Sequence, residues 1–136
     1  KVAAEGAIAD GVPAGGYFGK PTLFSAPSHD STLLTEEIFG PVLVALPFDT
    51  EADAIRLANA TDYGLLGAVW TENGGRQQRI ARGIKCGQVY INGFGAGGGV
   101  ELPFGGVKKS GHGREKGFIA LEEMSTTKTI IQFYGE

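Results

Sequence analysis

Apolar residues gather in three short runs along the chain, and two segments with helical spacing separate them. The runs cover residues 41–48 (PVLVALPF), 65–71 (LLGAVWT) and 88–92 (QVYIN), and the prolines of the first run stand near its ends. Short apolar runs rich in Val and Leu are typical of strands buried in a sheet. The pattern therefore predicts three strands, with a helix between each pair.

The boundaries of both helices carry capping residues. Thr50 is a good N-cap for the first helix, and Asp53 three positions later completes an approximate capping box. Asn73 is the predicted cap of the second helix, which carries basic residues near its C-terminal end and is closed by Gly87. The order strand, helix, strand, helix, strand follows.

This alternation favours a parallel sheet covered by helices, and so an α/β fold. A further helix is predicted at about residues 114–122, after a long glycine-rich loop. Residues 127–134 (TKTIIQFY) have the composition of a final strand. A last strand with no later partner is an exposed edge, which makes it a candidate oligomer contact. No linker is convincing enough to split the chain.

Composition narrows the class of partner. The 136 residues are 42% hydrophobic and 20% charged, with a net charge of -3 spread over interleaved signs. These values are typical of a globular protein and argue against nucleic acid or an anionic membrane as partner. A single cysteine excludes an internal disulfide and fits a reducing compartment, the cytoplasm. No segment has the length of a signal peptide core or a membrane span.

The letters GxGxxG occur at residues 93–98, directly after the third predicted strand. A dinucleotide-binding fingerprint needs a helix that begins within the motif, so that its amide groups face the pyrophosphate. Here the chain continues as GVELPFGG instead. We interpret this segment as a surface loop or the rim of a substrate site.

The nucleophile and metal-ligand types are sparse. Cys86 stands at a helix-to-strand junction with no histidine near it in sequence, which favours a packing role over a nucleophilic one. His29 and His112 are too few and too scattered to indicate a metal site or a triad. No catalytic residue and no metal ligand is predicted in this chain.

Two segments carry chemistry that the residues alone leave open. At residues 36–41 (EEIFGP), two carboxylates adjoin an aromatic ring. This segment could be a solvated acidic turn. Alternatively, a carboxylate could hydrogen-bond a ribose diol while the neighbouring ring packs against a flat heterocycle. Likewise, residues 102–106 (LPFGG) could be a packed turn or an aromatic wall beside a small apolar substrate.

Five segments in order, EEIFGPV, NATDYGLLGAVWT, GQVYIN, LPFGGVKKSGHGREKG and TTKTI, resemble the NAD(P)-dependent aldehyde dehydrogenase superfamily. The resemblance implies that residues 1–126 are the later part of the catalytic domain and that residues 127–136 are a terminal strand with an oligomer contact. It implies NAD or NADP as cofactor, an aldehyde as substrate, and a homo-oligomer, either dimer or tetramer.

The same resemblance assigns roles to residues. Glu37 would bind the nicotinamide ribose and Phe39 would contact the nicotinamide, while Phe104 would belong to the wall of the aldehyde tunnel. The loop before Phe104 departs from the family pattern because it is rich in glycine and carries Glu101, which predicts a wider and partly acidic rim. Phe94 is the residue expected to replace part of the missing aromatic surface.

The family reaction oxidises an aldehyde to a carboxylic acid. A cysteine thiolate adds to the carbonyl, hydride passes to the nicotinamide, and water activated by a glutamate hydrolyses the thioester. In the family these groups lie upstream of the motifs found here, and Cys86 is not in the nucleophile's motif. We therefore expect an isolated chain without dehydrogenase activity. The alternatives are a non-catalytic interaction module with the same partial fold, and a phosphate-binding domain built on GFGAGG.

Overall fold

The computed structural model describes residues 1–25, 27–95 and 98–135. The chain forms two compact units, Lys1–Asp62 and Tyr63–Glu136. This division falls inside the region 1–126 for which the sequence indicated no boundary. Ala96 and Gly97 of the predicted rim loop, and Glu136 of the predicted terminal strand, lie outside the described residues.

The first unit contains one three-stranded sheet and two helices. Its elements in chain order are β1 (Val2–Glu5), β2 (Thr22–Ser25), α1 (Thr32–Thr35), β3 (Val42–Ala45) and α2 (Glu51–Ala58). Strand β2 lies in the centre, antiparallel to β1 and parallel to β3. Strands β1 and β2 were not predicted, since both lie in the glycine-containing first 25 residues, which lack a long apolar run.

The second unit is built on a parallel strand–helix–strand motif. Its elements are β4 (Tyr63–Gly64), β5 (Leu66–Val69), α3 (Gly74–Gly83), β6 (Gln88–Ile91), β7 (Val107–Lys108) and α4 (Ile119–Glu123). Strand β5 pairs in parallel with β6, with Leu66 opposite Gln88 and Val69 opposite Ile91. Strand β4 pairs antiparallel with β7. The α/β class is thereby confirmed.

The predicted helix caps are confirmed. The Thr50 hydroxyl accepts a hydrogen bond from the Asp53 amide at 3.1 Å and donates one to the Asp53 carboxylate at 2.7 Å. The hydroxyl, followed by Arg56, holds the pKa of the Asp53 carboxyl below its usual range. The Asn73 side chain accepts a hydrogen bond from the Arg76 amide at 2.8 Å, at the start of α3. Both helices begin where local chemistry alone predicted.

Two predictions about the elements are wrong. The predicted strands do not share one parallel sheet, because β3 pairs with β2 whereas β5 pairs with β6. Helix α4 starts at Ile119 and not near residue 114, because the backbone of Glu115 bonds to Phe104 and two consecutive residues, Lys116 and Gly117, have φ of 63° and 61°. Residues in the left-handed region cannot continue a right-handed helix.

The predicted terminal strand is not formed by residues 127–135 of the described chain. A strand exists only where its amide and carbonyl groups meet a partner strand. Within the described residues, the backbone of 127–135 pairs with no other segment, and the side chains of this segment are exposed. The terminal strand and its oligomer contact therefore stay predictions.

Burial is shallow throughout both units. Among the described residues, Val69 is the one buried apolar side chain, at 7% exposure. Strand β3 was predicted to be buried, yet Leu43 is 67% exposed. No helix among the described residues is long and apolar enough to cross a membrane.

Candidate functional site

An exposed acidic and aromatic segment connects α1 to β3. The Ser31 hydroxyl caps α1 at its start, and the Glu36 amide closes it by donating to the Thr32 carbonyl at 3.0 Å. Glu37 comes directly after this cap and is exposed. Phe39 has φ of 53° and is 92% exposed. The positive φ strains the backbone, and the exposed ring leaves apolar surface in water. Both features are typical of a contact surface.

This segment lies at the amino end of β3, since the strand begins at Val42. Ligands of open parallel sheets usually bind at the carboxyl ends of the strands. The general rule for α/β sheets therefore does not account for Glu37 and Phe39 as a binding pair. Their candidacy rests on the exposure of both side chains and on the family motif.

Phe104 lies in the second unit on a turn paired with the chain just before α4. Its amide donates to the Glu115 carbonyl and its carbonyl accepts from the Glu115 amide, both at 2.7 Å. The ring is half-buried, and the ammonium of Lys116 lies 5.4 Å from the ring centroid. The two-bond bridge pairs Phe104 with Glu115, the residue before Lys116, which the sequence did not reveal.

Polar side chains hold the rest of this turn in place. The Arg114 guanidinium donates to the carbonyls of Gly106 at 2.8 Å and Gly113 at 2.6 Å. The Ser110 hydroxyl accepts from the Gly64 amide at 3.0 Å. The Gln88 side-chain amide donates to the Pro103 carbonyl at 3.3 Å. We assign these residues to positioning of the Phe104 turn.

A cavity of about 570 Å³ opens beside Phe104. Basic and acidic side chains both reach its wall, together with an apolar patch, and its principal lining residues are Phe104, His112, Arg114, Lys116, Glu123 and Met124. This volume suits a small molecule. The cavity makes Phe104 a candidate wall residue from geometry as well as from sequence.

Phe94 follows the carboxyl end of the β5–β6 pair. The Asn92 side chain holds the two strand ends together, because it accepts a hydrogen bond from the Thr71 amide at 2.8 Å and donates one to the Thr71 carbonyl at 3.0 Å. Two residues further on, Phe94 is 77% exposed and does not line the cavity at Phe104. The described residues therefore do not bring the two predicted substrate-binding rings into one cavity. Asn92 could have been suspected from its place after a strand.

The GxGxxG letters do not open a helix. After Gly98, which has φ of 53°, the described chain runs through turns to the Phe104 bridge, and α4 begins only at Ile119. A phosphate cradle of the dinucleotide-binding type needs helix amides directed at the ligand. The described residues around the motif therefore give no support to a nucleotide fingerprint, and the interpretation as a loop stays a prediction.

Cys86 has the environment of a packing residue. Its thiol donates a hydrogen bond to the Gln88 carbonyl at 3.0 Å. Burial raises the pKa of the Cys86 thiol. This effect outweighs the backbone hydrogen bond of Gln88 and the charge of Lys108, each of which lowers the pKa. A thiol with a raised pKa carries little thiolate at neutral pH, whereas nucleophilic cysteines have lowered pKa values. Among the described residues, no cluster of three His, Cys, Asp or Glu side chains could hold a metal ion.

This environment predicts slow alkylation of Cys86. Because its pKa is raised, the thiolate fraction at pH 8 is below that of an unperturbed thiol, and reaction with iodoacetamide is expected to be slower than for glutathione. The rate of alkylation should keep rising to a higher pH than the rate for glutathione does. The same chain in 8 M urea serves as control and should react at the glutathione rate. Faster reaction in the folded chain than in urea would contradict the packing role.

The fold and these features define a segment of an α/β domain, with an exposed carboxylate–aromatic pair on one unit and a cavity on the other. The family model described as "Aldehyde dehydrogenase family" matches residues 1–130. Over 121 residues the chain is 43% identical to 4-trimethylaminobutyraldehyde dehydrogenase A of Danio rerio, covering 89% of this chain and 24% of the relative. It is 42% identical to betaine aldehyde dehydrogenase of Agrobacterium fabrum, covering 96% of this chain and 26% of the relative.

A crystal structure of an aldehyde dehydrogenase from Mycobacterium tuberculosis, complexed with NAD+, superposes with a TM-score of 0.80 at 40% identity. The match covers 90% of this chain and 25% of that one. The chain belongs to the aldehyde dehydrogenase family. It spans about a quarter of the length of the curated relatives it matches.

Proposed function

We propose that this chain is the C-terminal part of an enzyme that oxidises an aldehyde to a carboxylic acid with NAD or NADP. Family membership over residues 1–130 supports the reaction class. The observation that carries the proposal is the exposed pair Glu37 and Phe39, a carboxylate and a ring directed to solvent on one short connection. The isolated chain supplies binding surfaces, and the reaction requires groups from the longer protein.

Glu37 and Phe39 fit the nicotinamide half of the cofactor by their chemistry. A carboxylate can accept hydrogen bonds from both hydroxyls of a ribose, and a phenyl ring packs against a flat heterocycle. The bound nicotinamide supplies the hydride acceptor of the reaction. In this proposal Glu37 holds the ribose and Phe39 limits the movement of the ring, so that hydride transfer occurs from one orientation.

Phe104 is proposed as an apolar wall for the aldehyde, beside the cavity of about 570 Å³. Phe94, with its exposed ring, is proposed as a second substrate contact at the rim. Two relatives are named for aldehydes with a trimethylammonium group. Such aldehydes are therefore natural probes for the substrate site.

Residues 127–136 are proposed to form a strand in a homo-oligomer, either a dimer or a tetramer. Exposed apolar side chains on this segment support the proposal, namely Ile130, Ile131, Phe133 and Tyr134. An extended segment with free amide groups can add to the edge of a neighbouring sheet. We place the enzyme in the cytoplasm on the basis of its single cysteine in this segment.

Glu37→Gln in the longer enzyme is expected to slow hydride transfer about tenfold, because a neutral amide binds the ribose hydroxyls less firmly than a carboxylate. The measurement is single-turnover NADH formation with saturating aldehyde. Glu36→Gln is the matched control, since Glu36 is the adjacent exposed carboxylate and closes α1 through its backbone only. Its rate should stay within twofold of the wild type. Equal rates for Glu37→Gln and Glu36→Gln would remove Glu37 from this role.

A non-catalytic interaction module is the second candidate, and the exposed apolar tail is the observation that favours it. The coding sequence separates the two functions. A catalytic half encoded in frame upstream supports the enzyme, whereas a gene that begins near Lys1 supports the interaction module.

A further inference from the structure

We propose that Lys116 is a specificity-determining residue that disfavours aldehydes whose far end is positively charged. This inference rests on the proposed function, because it takes Phe104 as part of the substrate wall. It concerns the chemical class of the aldehyde, and the reaction itself stays as proposed above.

The ammonium of Lys116 lies 5.4 Å from the centroid of the Phe104 ring, within the range of a cation–π contact. Both side chains are half-buried and both line the cavity. The backbone bridge between Phe104 and Glu115, with two bonds of 2.7 Å, fixes the spacing of the two side chains. Lys116 keeps this place although its φ of 63° is unfavourable for a side chain with a Cβ.

A second cation beside Phe104 would meet this ammonium. A trimethylammonium group packed on the ring would lie on the order of 10 Å or less from the Lys116 charge, a distance at which like charges in a partly buried site repel measurably. One cation on the ring also weakens the attraction of its π system for another. Neutral and anionic aldehydes avoid this repulsion.

The other charged residues on the cavity wall are of both signs. Arg114 and His112 add basic groups to the same wall, while Glu115 and Glu123 are its acidic residues. Glu101, the acidic residue of the predicted rim, does not line the cavity, and its carboxylate lies close to Gly99. Among these charged groups, the ammonium of Lys116 is the one that lies over the Phe104 ring.

The experiment compares two aldehydes of the same shape in the longer enzyme. Betaine aldehyde and 3,3-dimethylbutanal differ by a charged nitrogen in place of a neutral carbon. The measured quantity is the ratio of kcat/KM for the charged over the neutral aldehyde. Lys116→Met, which removes the charge and keeps an apolar chain, is expected to raise this ratio about three- to tenfold.

Two further variants serve as controls. Lys116→Arg keeps a cation over the ring and should keep the wild-type ratio, and Lys109→Met removes an equal charge from an exposed position that does not line the cavity. In the wild type, raising the salt concentration should raise the ratio by screening the repulsion, and this holds whether or not Lys116→Met folds.

The outcomes separate the two proposals. An active Lys116→Met enzyme with an unchanged ratio, or a wild-type ratio that does not respond to salt, would overturn the role of Lys116 and leave the dehydrogenase function intact. A longer wild-type enzyme that forms no NADH with any aldehyde would overturn the proposed function and this inference with it.

Discussion

Gly87→Ala is expected to abolish the ordered packing between the β5–β6 pair and the Phe104 turn. A Cβ at Gly87 would overlap the Gly105 carbonyl oxygen and would lie 2.7 Å from the Gly105 carbonyl carbon. Both neighbours are backbone atoms, so no side-chain rotation can relieve the overlap. The expected cost is above about 3 kcal/mol, in the upper range for single substitutions.

Neither partner of this contact can move away without losing bonds. The Gly87 amide donates to the carbonyls of Gly64 and Leu65, each at 3.1 Å. On the other side, the turn is fixed by Arg114 and by the Phe104 bridge. Relief of the overlap therefore breaks hydrogen bonds on one side or the other.

Hydrogen exchange measured by mass spectrometry tests this expectation on the 136-residue chain. In Gly87→Ala, protection should fall in residues 64–69 and 87–92 relative to the wild type. Gly74→Ala is the matched control, because a Cβ there meets nothing within 4 Å and the residue opens α3. Its protection should stay the same or increase. Equal protection in the two variants would contradict the close packing at Gly87.

Local chemistry made the helix starts predictable, and long-range pairing was hidden from the sequence. Thr50 and Asn73 act on amides three residues away, so their roles can be read from a short window of sequence. The Phe104 bridge joins residues eleven positions apart, and the helix predicted near residue 114 failed because that bridge takes the Glu115 backbone. The periodicity of apolar residues does not show which distant backbone segment will take the hydrogen bonds that a predicted helix needs.

The candidate site shows the same limit. Glu37 and Phe39 came from a motif, and the structure adds their exposure and the φ of 53° at Phe39. Lys116 and Arg114 gave no signal on their own, because a basic residue in a glycine-rich turn is usually a solvated charge. Their contacts with Phe104 and with the carbonyls of the turn appear only once the chain is folded.

The purified 136-residue chain is expected to form no NADH from any aldehyde in the presence of NAD. The one thiol available is Cys86, whose pKa is raised and whose proton is donated to the Gln88 carbonyl. A nucleophile for aldehyde oxidation must be a thiolate, which requires the opposite environment. The assay follows NADH absorbance with several aldehydes, with the longer enzyme as positive control. Aldehyde-dependent NADH formation that is lost in Cys86→Ala would contradict this expectation.

The large exposed surface gives a second reason for the expected inactivity. The chain exposes 10456 Å², whereas two separate compact units of these lengths would expose about 8,200 Å². Rings such as Phe39 and Phe94 lie in solvent in the isolated chain. An aldehyde site has to exclude water to protect its reactive groups and to strengthen their electrostatic interactions. Supplying a thiolate alone, for example by lowering the pKa of Cys86 with a nearby charge, should therefore leave the chain inactive, because no covered site would surround the thiolate.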